Sequence, residues 1–234
     1  MLNSTIVIKV KQRLNKLDSQ DYDNLETWQI IEAFNKGQVE WCRRQIIGAN
    51  QTKQGDEQSR RKVDDLQVLL TPAPIILSQK LTYYEAPLPP DYFEYKRLDV
   101  SATSKTCNTG RPMIIYQGEE VNVPILLRDD NKKPSFEWGE TFSTLVNNSF
   151  RIYTNGEFSL NSPADCLYYR QPTYIQIAGV SDPYTLVTST VDVPCEFADD
   201  VVEIMIDECA GIIAGDIESI NQKSINEGNA AQNT

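Results

Sequence analysis

Leu2, Ile6, Val10, Leu14 and Leu17 recur at helical spacing while Lys9, Lys11, Arg13 and Lys16 take the other faces, so the chain opens on an amphipathic helix. Asp18-Ser19-Gln20-Asp21 breaks the pattern. Asp23 then stands three residues before Glu26, a capping-box-like start. Leu25, Trp28, Ile31, Phe34, Gln38 and Trp41 trace one face of a second helix to about Ile47. Gly37 weakens its middle by about 1 kcal/mol. A polar linker, Gly48 to Gly55, leads to a third helix that Asp56 can cap, that Val63, Leu66 and Leu70 stripe, and that Pro72 and Pro74 end. Residues 1–72 thus read as an N-terminal helical region.

Residues 73–196 read as a β-rich insertion. Short β-prone runs alternate with Pro, Asn and Gly: Pro74–Gln79, Tyr92–Val100, Pro112–Tyr116, Val121–Leu127, Phe150–Thr154, Glu157–Leu160, Cys166–Arg170, Tyr174–Ala178 and Tyr184–Val191. Asn155-Gly156 between alternating runs predicts a two-residue hairpin, because both turn positions of a type I′ turn need positive φ. Ala86-Pro87-Leu88-Pro89-Pro90 reads as an extended arm or crossover, or as a proline-rich ligand. Over 197–220, Val202, Ile206, Cys209, Ile213, Ile217 and Ile220 return to helical spacing, with Asp199, Asp200 and Glu203 in the first turn where the helix dipole favours them. Ala210, Ala214 and Gly215 would admit another backbone. Residues 221–234 form a polar tail, expected to be held by another chain. The resulting fold class is α+β, with helices from both chain ends forming one bundle around an inserted antiparallel β-rich domain.

Composition removes whole classes of chemistry. The 234 residues contain no histidine, which excludes Ser-His-Asp triads, Cys-His dyads and His-ligated zinc. The net charge is −11 and is uneven along the chain. Sequence-specific nucleic-acid binding is not expected of such a surface, whereas a channel through which DNA slides without sticking would tolerate it; plain solubility is the simpler reading. Cys42, Cys107, Cys166, Cys195 and Cys209 are odd in number, widely spaced and without a CxxC pair, so they read as reduced, mostly buried thiols of a cytoplasmically made protein. No apolar run approaches a membrane span, and Met1–Lys9 has neither the basic start nor the long apolar stretch of a secretory signal.

No phosphate-binding glycine loop is present. Glu119-Glu120, Asp129-Asp130, Asp199-Asp200 and Asp207-Glu208 offer paired carboxylates of the kind that serve a glycosidase or a divalent cation, but adjacent residues on a helix point apart. Lys105–Arg111 places Cys107 among cations, either a reactive-thiol loop or an inert one. Arg43-Arg44 and Arg60-Arg61-Lys62 are solvated faces, or docking points for an acidic neighbouring subunit. Tyr83-Tyr84, Tyr92-Phe93 and Tyr168-Tyr169 place aromatics on both faces of strands, one for the core and one for a partner, or both for a single core. No catalytic, cofactor-binding or metal residue is assigned.

Three stretches carry a family resemblance: Trp28–Phe34 with Trp41–Arg44, then Asn148–Gly156 with Leu167–Pro172, then Phe197–Ile204 running on to Ile220-Asn221. In that order they resemble the head-to-tail connector (ring or adaptor) proteins of crAss-like tailed bacteriophages. The resemblance implies a non-enzymatic structural virion protein at the portal vertex, assembled in the host bacterial cytoplasm. It would form a ring of about twelve copies that extends the DNA channel. The implied partners are copies of itself, the portal protein, neighbouring connector rings and tail proteins, and passing genomic DNA without sequence-specific contact, with no membrane and no cofactor. A tail-tube or terminator component, a carboxylate-based hydrolase and a carbohydrate-binding module are the alternatives.

Overall fold

The computed structural model describes residues 1–15, 25–47, 64–104, 107–181, 183–184, 186–216 and 228. The chain divides into two compact units: a terminal unit of Met1–Leu69 with Pro172–Thr234, and a sheet unit of Leu70–Gln171.

The terminal unit is organised by three helices, α1 (Asn3–Asn15), α2 (Thr27–Ile47) and α4 (Asp199–Asp216). Helix α4 is buried nearly all round, with Val202, Met205, Ile206, Cys209 and Ala210 fully buried, so it packs against both α1 and α2. Helix α1 seats Ile6, Val10 and Leu14 in full burial, as its periodicity requires, but Leu2 stays exposed. The expected face of α2 splits in two. Phe34, Gln38 and Trp41 are buried, joined by Ile30, which the expected face did not include, whereas Trp28 and Ile31 turn to the surface. Residues 217–220 of the expected terminal helix, the expected polar tail apart from Gly228, and the basic spot Arg60-Arg61-Lys62 lie outside the described residues.

The third expected helix is described only at its end, where Leu66 and Leu69 are buried and Gln67–Leu69 forms a 3-10 turn. The chain passes directly into strand β1 (Leu70–Ile75), so Pro72 and Pro74 stand in a strand. That strand is an edge, where a missing N–H breaks no ladder and blunts pairing with another chain. The sheet continues with β2 (Ser78–Gln79), β3 (Tyr83–Pro87), β4 (Tyr92–Ser104), β5 (Cys107–Gln117), β6 (Glu140–Val146), β7 (Ser149–Tyr153), β8 (Phe158–Leu160) and β9 (Ala164–Arg170). The strand order is β1-β9-β4-β5-β6-β7-β3-β2, with β8 on β4. Strand β4 gives its first half to β9 and its second half to β5 and β8.

The expected fold class is corrected on two counts. The architecture is mostly β, a mixed sheet curled into a half-barrel with few helices, and it is not a helical bundle carrying an inserted domain. In the terminal unit α1 barely touches α2, so the helices surround α4 without forming a bundle. Nor is the sheet antiparallel throughout, because β5 and β6 run parallel, Ile114 beside Glu140 through Gln117 beside Ser143. A parallel pair needs a crossover. Residues 118–139 supply it, with a 3-10 turn at Glu120–Asn122 and the short α3 (Val123–Leu126). Pro124 in the first turn of α3 explains why Val121–Leu127, expected as a strand, is helical.

Asn155 and Gly156 adopt positive φ, 51° and 74°, as the sequence expects, and the Glu157 amide closes the turn on the Thr154 carbonyl at 3.0 Å. The flanking strands then part: β7 pairs with β6 and β3, while β8 pairs with β4. The two-residue hairpin is at Asn147-Asn148 instead, φ 48° and 55°, joining β6 to β7. Residues 172–196 contain no named strand among those described, only the isolated bridges Gln176–Val193 and Ser181–Thr188. Pro172, Pro183 and Pro194 stand just outside the runs expected there to be strands, Tyr174–Ala178 and Tyr184–Val191, and each lacks a main-chain donor with which to extend them.

Candidate functional site

Among the described residues, each unit exposes a surface rich in apolar side chains. On the terminal unit it is a groove of about 680 Å³ between the outer face of α2 and the segment Tyr174–Ser189. Trp28, Ile31 and Val39 supply one wall, and Ile177, Pro183 and Val187 the other. Trp28 meets Tyr184 edge-on at 5.9 Å. The groove follows α2 from Trp28 to Arg43, about 22 Å at 1.5 Å per residue. Glu32, Lys36 and Glu40 alternate in sign along its edge.

Side-chain amides hold the outer wall where a strand ladder would otherwise do so. Asn35 grips Ile175 twice, its Nδ2 donating to the Ile175 carbonyl at 3.3 Å and its Oδ1 accepting the Ile175 amide at 2.9 Å. One turn on, the fully buried Gln38 donates Nε2 to the Thr173 carbonyl at 3.0 Å and accepts the Cys195 thiol at 3.7 Å. From α1, Asn3 donates Nδ2 to the carbonyls of Gln176 and Val193, at 2.9 and 2.8 Å, bracing the Gln176–Val193 bridge from outside.

On the sheet unit, strand parity separates two faces. Met113, Ile115, Phe150 and Ile152 point into the core. The opposite face carries Ile114, Tyr116, Phe142, Thr144, Arg151 and Tyr153, and the crossover covers part of it. Glu120 pins that crossover down, accepting from the Thr144 hydroxyl, from Arg151 Nη1 at 3.1 Å and from the Tyr153 hydroxyl at 3.1 Å. Phe142 stacks on Tyr153 at 4.9 Å, and the Arg151 guanidinium lies 5.3 Å from the centre of the Tyr83 ring. Beyond this cover, Ile114 and Tyr116 remain exposed. Trp138 is 77% exposed, beside Gly139, whose carbonyl accepts the Ile114 amide. Val121 and Ile125 are exposed on the crossover itself.

The paired acidic residues do not converge on a reaction centre. Glu119 accepts from the Asn122 amide, Glu120 holds the crossover, and Asp130 pairs with Lys133 at 2.6 Å. On α4 the carboxylates meet cations of α1 and α2: Asp199 with the Met1 amine at 2.6 Å, Glu203 with Lys9 and Arg13, Asp207 with Arg13, and Glu208 with Arg44 at 2.6 Å. The charge asymmetry between the two halves of the chain is thus in part neutralised within one molecule, and Arg44 serves an internal pair. Among the described residues no three His, Cys, Asp or Glu side chains are grouped to hold a metal ion.

Cys42, Cys166, Cys195 and Cys209 are free and buried, and burial pushes each thiol up, Cys166 to about 11. Such thiols are poor nucleophiles. The side chain of Cys107 lies outside the described residues. The tyrosine pairs read as candidate partner surfaces are largely internal: Tyr84, Tyr168 and Tyr169 are buried, and Tyr92 packs on Phe150 and Tyr168.

No protein-family model matches the chain, and no curated protein is detectably similar to it in sequence. The surface aromatics that matter, Trp138, Tyr116, Tyr174 and Tyr184, were not singled out by sequence pattern. Trp138 did carry a signal, a lone indole among turn-forming and charged residues in Ser135-Phe136-Glu137-Trp138-Gly139-Glu140. No helix among the described residues is long and apolar enough to cross a membrane.

Proposed function

We propose that this chain is a non-enzymatic structural subunit of a tailed-bacteriophage virion, one that forms a ring in the head-to-tail connector. The observation that carries this reading is that each unit bears its own bare apolar surface and that the two differ in shape. One is an open groove beside α2, the other an exposed patch around Trp138. A closed ring joins unlike faces of successive subunits, so each copy needs two different adhesive surfaces. Exposed apolar patches of this kind mark interaction sites. The engagement of the paired carboxylates and the burial of four thiols favour a structural role over a hydrolytic one.

In this reading the ring joins the portal to the tail, contacts the portal protein or a neighbouring ring, and surrounds passing DNA without reading it. The net charge of −11 suits a channel wall that does not retain phosphate. Native mass spectrometry of the full chain tests the proposal. The expected result is a closed oligomer. Trp138→Arg should disrupt that oligomer while changing subunit stability by no more than about 0.5 kcal/mol, the range for exposed positions. A chain that remains monomeric even when mixed with portal protein would overturn the proposal.

A further inference from the structure

We infer, resting on the ring reading, that the two bare surfaces cover each other between copies: the Trp138 loop of one copy is a knob that seats in the groove beside α2 of the next.

The knob is built as an anchor. Trp138 is 77% exposed, yet the backbone beneath it is held on all sides. Ser135 and Glu140 exchange main-chain hydrogen bonds at 2.9 and 3.1 Å, and the Gly139 amide donates to the Ser135 carbonyl at 3.1 Å. Arg111 Nη1 donates to the carbonyls of Phe136 and Glu137 at 3.1 and 2.6 Å, and the Gly139 carbonyl accepts the Ile114 amide at 2.8 Å. Phe136 turns inward onto Phe158, with 6.2 Å between ring centres. The indole is therefore placed before any partner arrives, which lowers the ordering cost of binding. A tryptophan of this kind, set in a partner's pocket, typically dominates an interface. Ile114 and Tyr116, 56% and 54% exposed, extend the same side: Ile114 pairs with Glu140, and the Tyr116 hydroxyl donates to Glu140 at 3.3 Å.

The groove is the matching concavity. Its volume of about 680 Å³ lies within the range of about 300–1,000 Å³ found for sites that bury whole ligands, room for an indole and a neighbouring side chain. Trp28, Tyr174 and Tyr184 line it, and aromatic rings receive an indole edge-on or offset.

Charge selects a second copy as the occupant. Along the helical rim Lys36, Glu40 and Arg43 run positive, negative, positive, with Glu32 continuing the alternation. Around Trp138 the signs are reversed. Glu137 and Glu140 flank it in sequence, and Arg111 lies so close to Gly139 between them that a Cβ there would stand 3.2 Å from Arg111 Nε. This chain thus carries the complement of its own groove, which a uniformly acidic or basic partner does not. Because knob and groove are different surfaces, their contact is heterologous and repeats until the ring closes.

Two blocked variants provide the test, each changed at an exposed position where the fold tolerates substitution. Trp138→Arg removes the knob, and Val187→Arg, at a groove residue 64% exposed, obstructs the groove. Native mass spectrometry should find the wild-type chain as a closed oligomer and each variant alone as a monomer. Their equal mixture holds one intact knob and one intact groove, and should give a 1:1 heterodimer and nothing larger. A carbodiimide, which joins a carboxylate to an amine in direct contact, gives a reading that does not depend on the strength of one isolated contact. In wild-type oligomers assembled from equal light- and heavy-nitrogen chains, Glu137 or Glu140 should be joined to Lys36, with about half of those crosslinks uniting the two isotopes. If the oligomer forms but the mixture stays monomeric and no such crosslink unites the isotopes, the inference falls while the ring reading stands. The same holds if Val187→Arg alone still assembles. If the wild-type chain is only monomeric, the ring reading fails and the inference goes with it.

Discussion

The groove and the Trp138 patch expose apolar surface by different means. The groove's outer wall is an irregular segment pinned by single amides from Asn3, Asn35 and Gln38, with isolated bridges in place of a ladder. The patch sits on the parallel β5–β6 pair, where main-chain hydrogen bonds fix the backbone and Glu120 adds only the crossover. A wall held by few buried side chains is sensitive to each of them, and to the helix that carries them. A wall held by a ladder tolerates side-chain loss. The terminal unit is therefore expected to be the adjustable part of the molecule, and the sheet unit the rigid one.

The largest expected effect tests that contrast through pH. Glu208 ties α4 to α2, the helix carrying Asn35 and Gln38. Burial pushes its carboxyl up to about 7 from the ordinary 4.5; Arg44 opposes the rise, and Glu40 and Asp207 add to it. The Arg44 contact is short, yet neither carboxylate oxygen gains a well-aligned hydrogen bond. Because the folded-state value is raised, the folded state binds the extra proton. That stability is fully present below about 4.5 and is lost as pH rises through about 7, on the order of 3 kcal/mol. Urea titrations from pH 5 to 8 should show the loss, and Glu208→Gln should flatten it. Amide exchange should localise the loosening to α2 and α4. Uniform loosening that includes β5 and β6 would break the contrast.

A pair of substitutions sharpens it. Gln38→Ala leaves the Thr173 carbonyl without its amide partner and opens space beside Trp41, at a cost of about 2–3 kcal/mol. Glu120→Gln weakens three bonds on a half-exposed site where water can substitute, at a cost of about 1 kcal/mol. Chemical denaturation of both variants measures the two values. Equal losses would mean that the walls are held alike.

Local pattern and long-range pairing separate what was legible in the sequence from what was not. The stripe Ile6–Val10–Leu14 and the apolar α4 were readable because a helix face needs only 3.6-residue periodicity. Strand β6 was not. Thr141, Ser143 and Thr144 are buried polar residues on a strand covered on both faces, so the alternation that marks a half-buried strand is absent. The opposite error occurred at Tyr174–Ala178 and Tyr184–Val191, where the described β-prone residues form isolated bridges in place of a named strand pair. Strand propensity describes a surface to be paired, and the sequence does not say with what. The mixed, mostly β architecture follows from such pairings, which is why the helices weighed too heavily in the expected fold. The groove was hidden for a related reason: Trp28 and Ile31 fit the helical stripe, yet they lie off the face that α4 covers.

The smallest effect has the opposite sign and probes the same helix. Gly37 lies mid-α2 against α4, where a helix-interior glycine is expected to cost about 1 kcal/mol relative to alanine. A close approach to α4 would justify the glycine only if no methyl group fitted. An added Cβ would meet the Cys209 amide nitrogen, the Glu208 Cβ and the Ile212 Cδ1 each at 3.7 Å, ordinary van der Waals distance. Gly37→Ala should therefore stabilise the chain by about 0.5–1 kcal/mol, by restricting the unfolded chain and filling that contact. Urea midpoints with an unchanged slope would establish this. Because the gain stiffens α2, exchange of the Ile175 amide, which Asn35 of α2 accepts, should slow while amides of β5 and β6 keep their rates. A destabilising result would mean that α2 and α4 pack more closely at Gly37 than 3.7 Å, and that the helical wall of the groove has no slack to give.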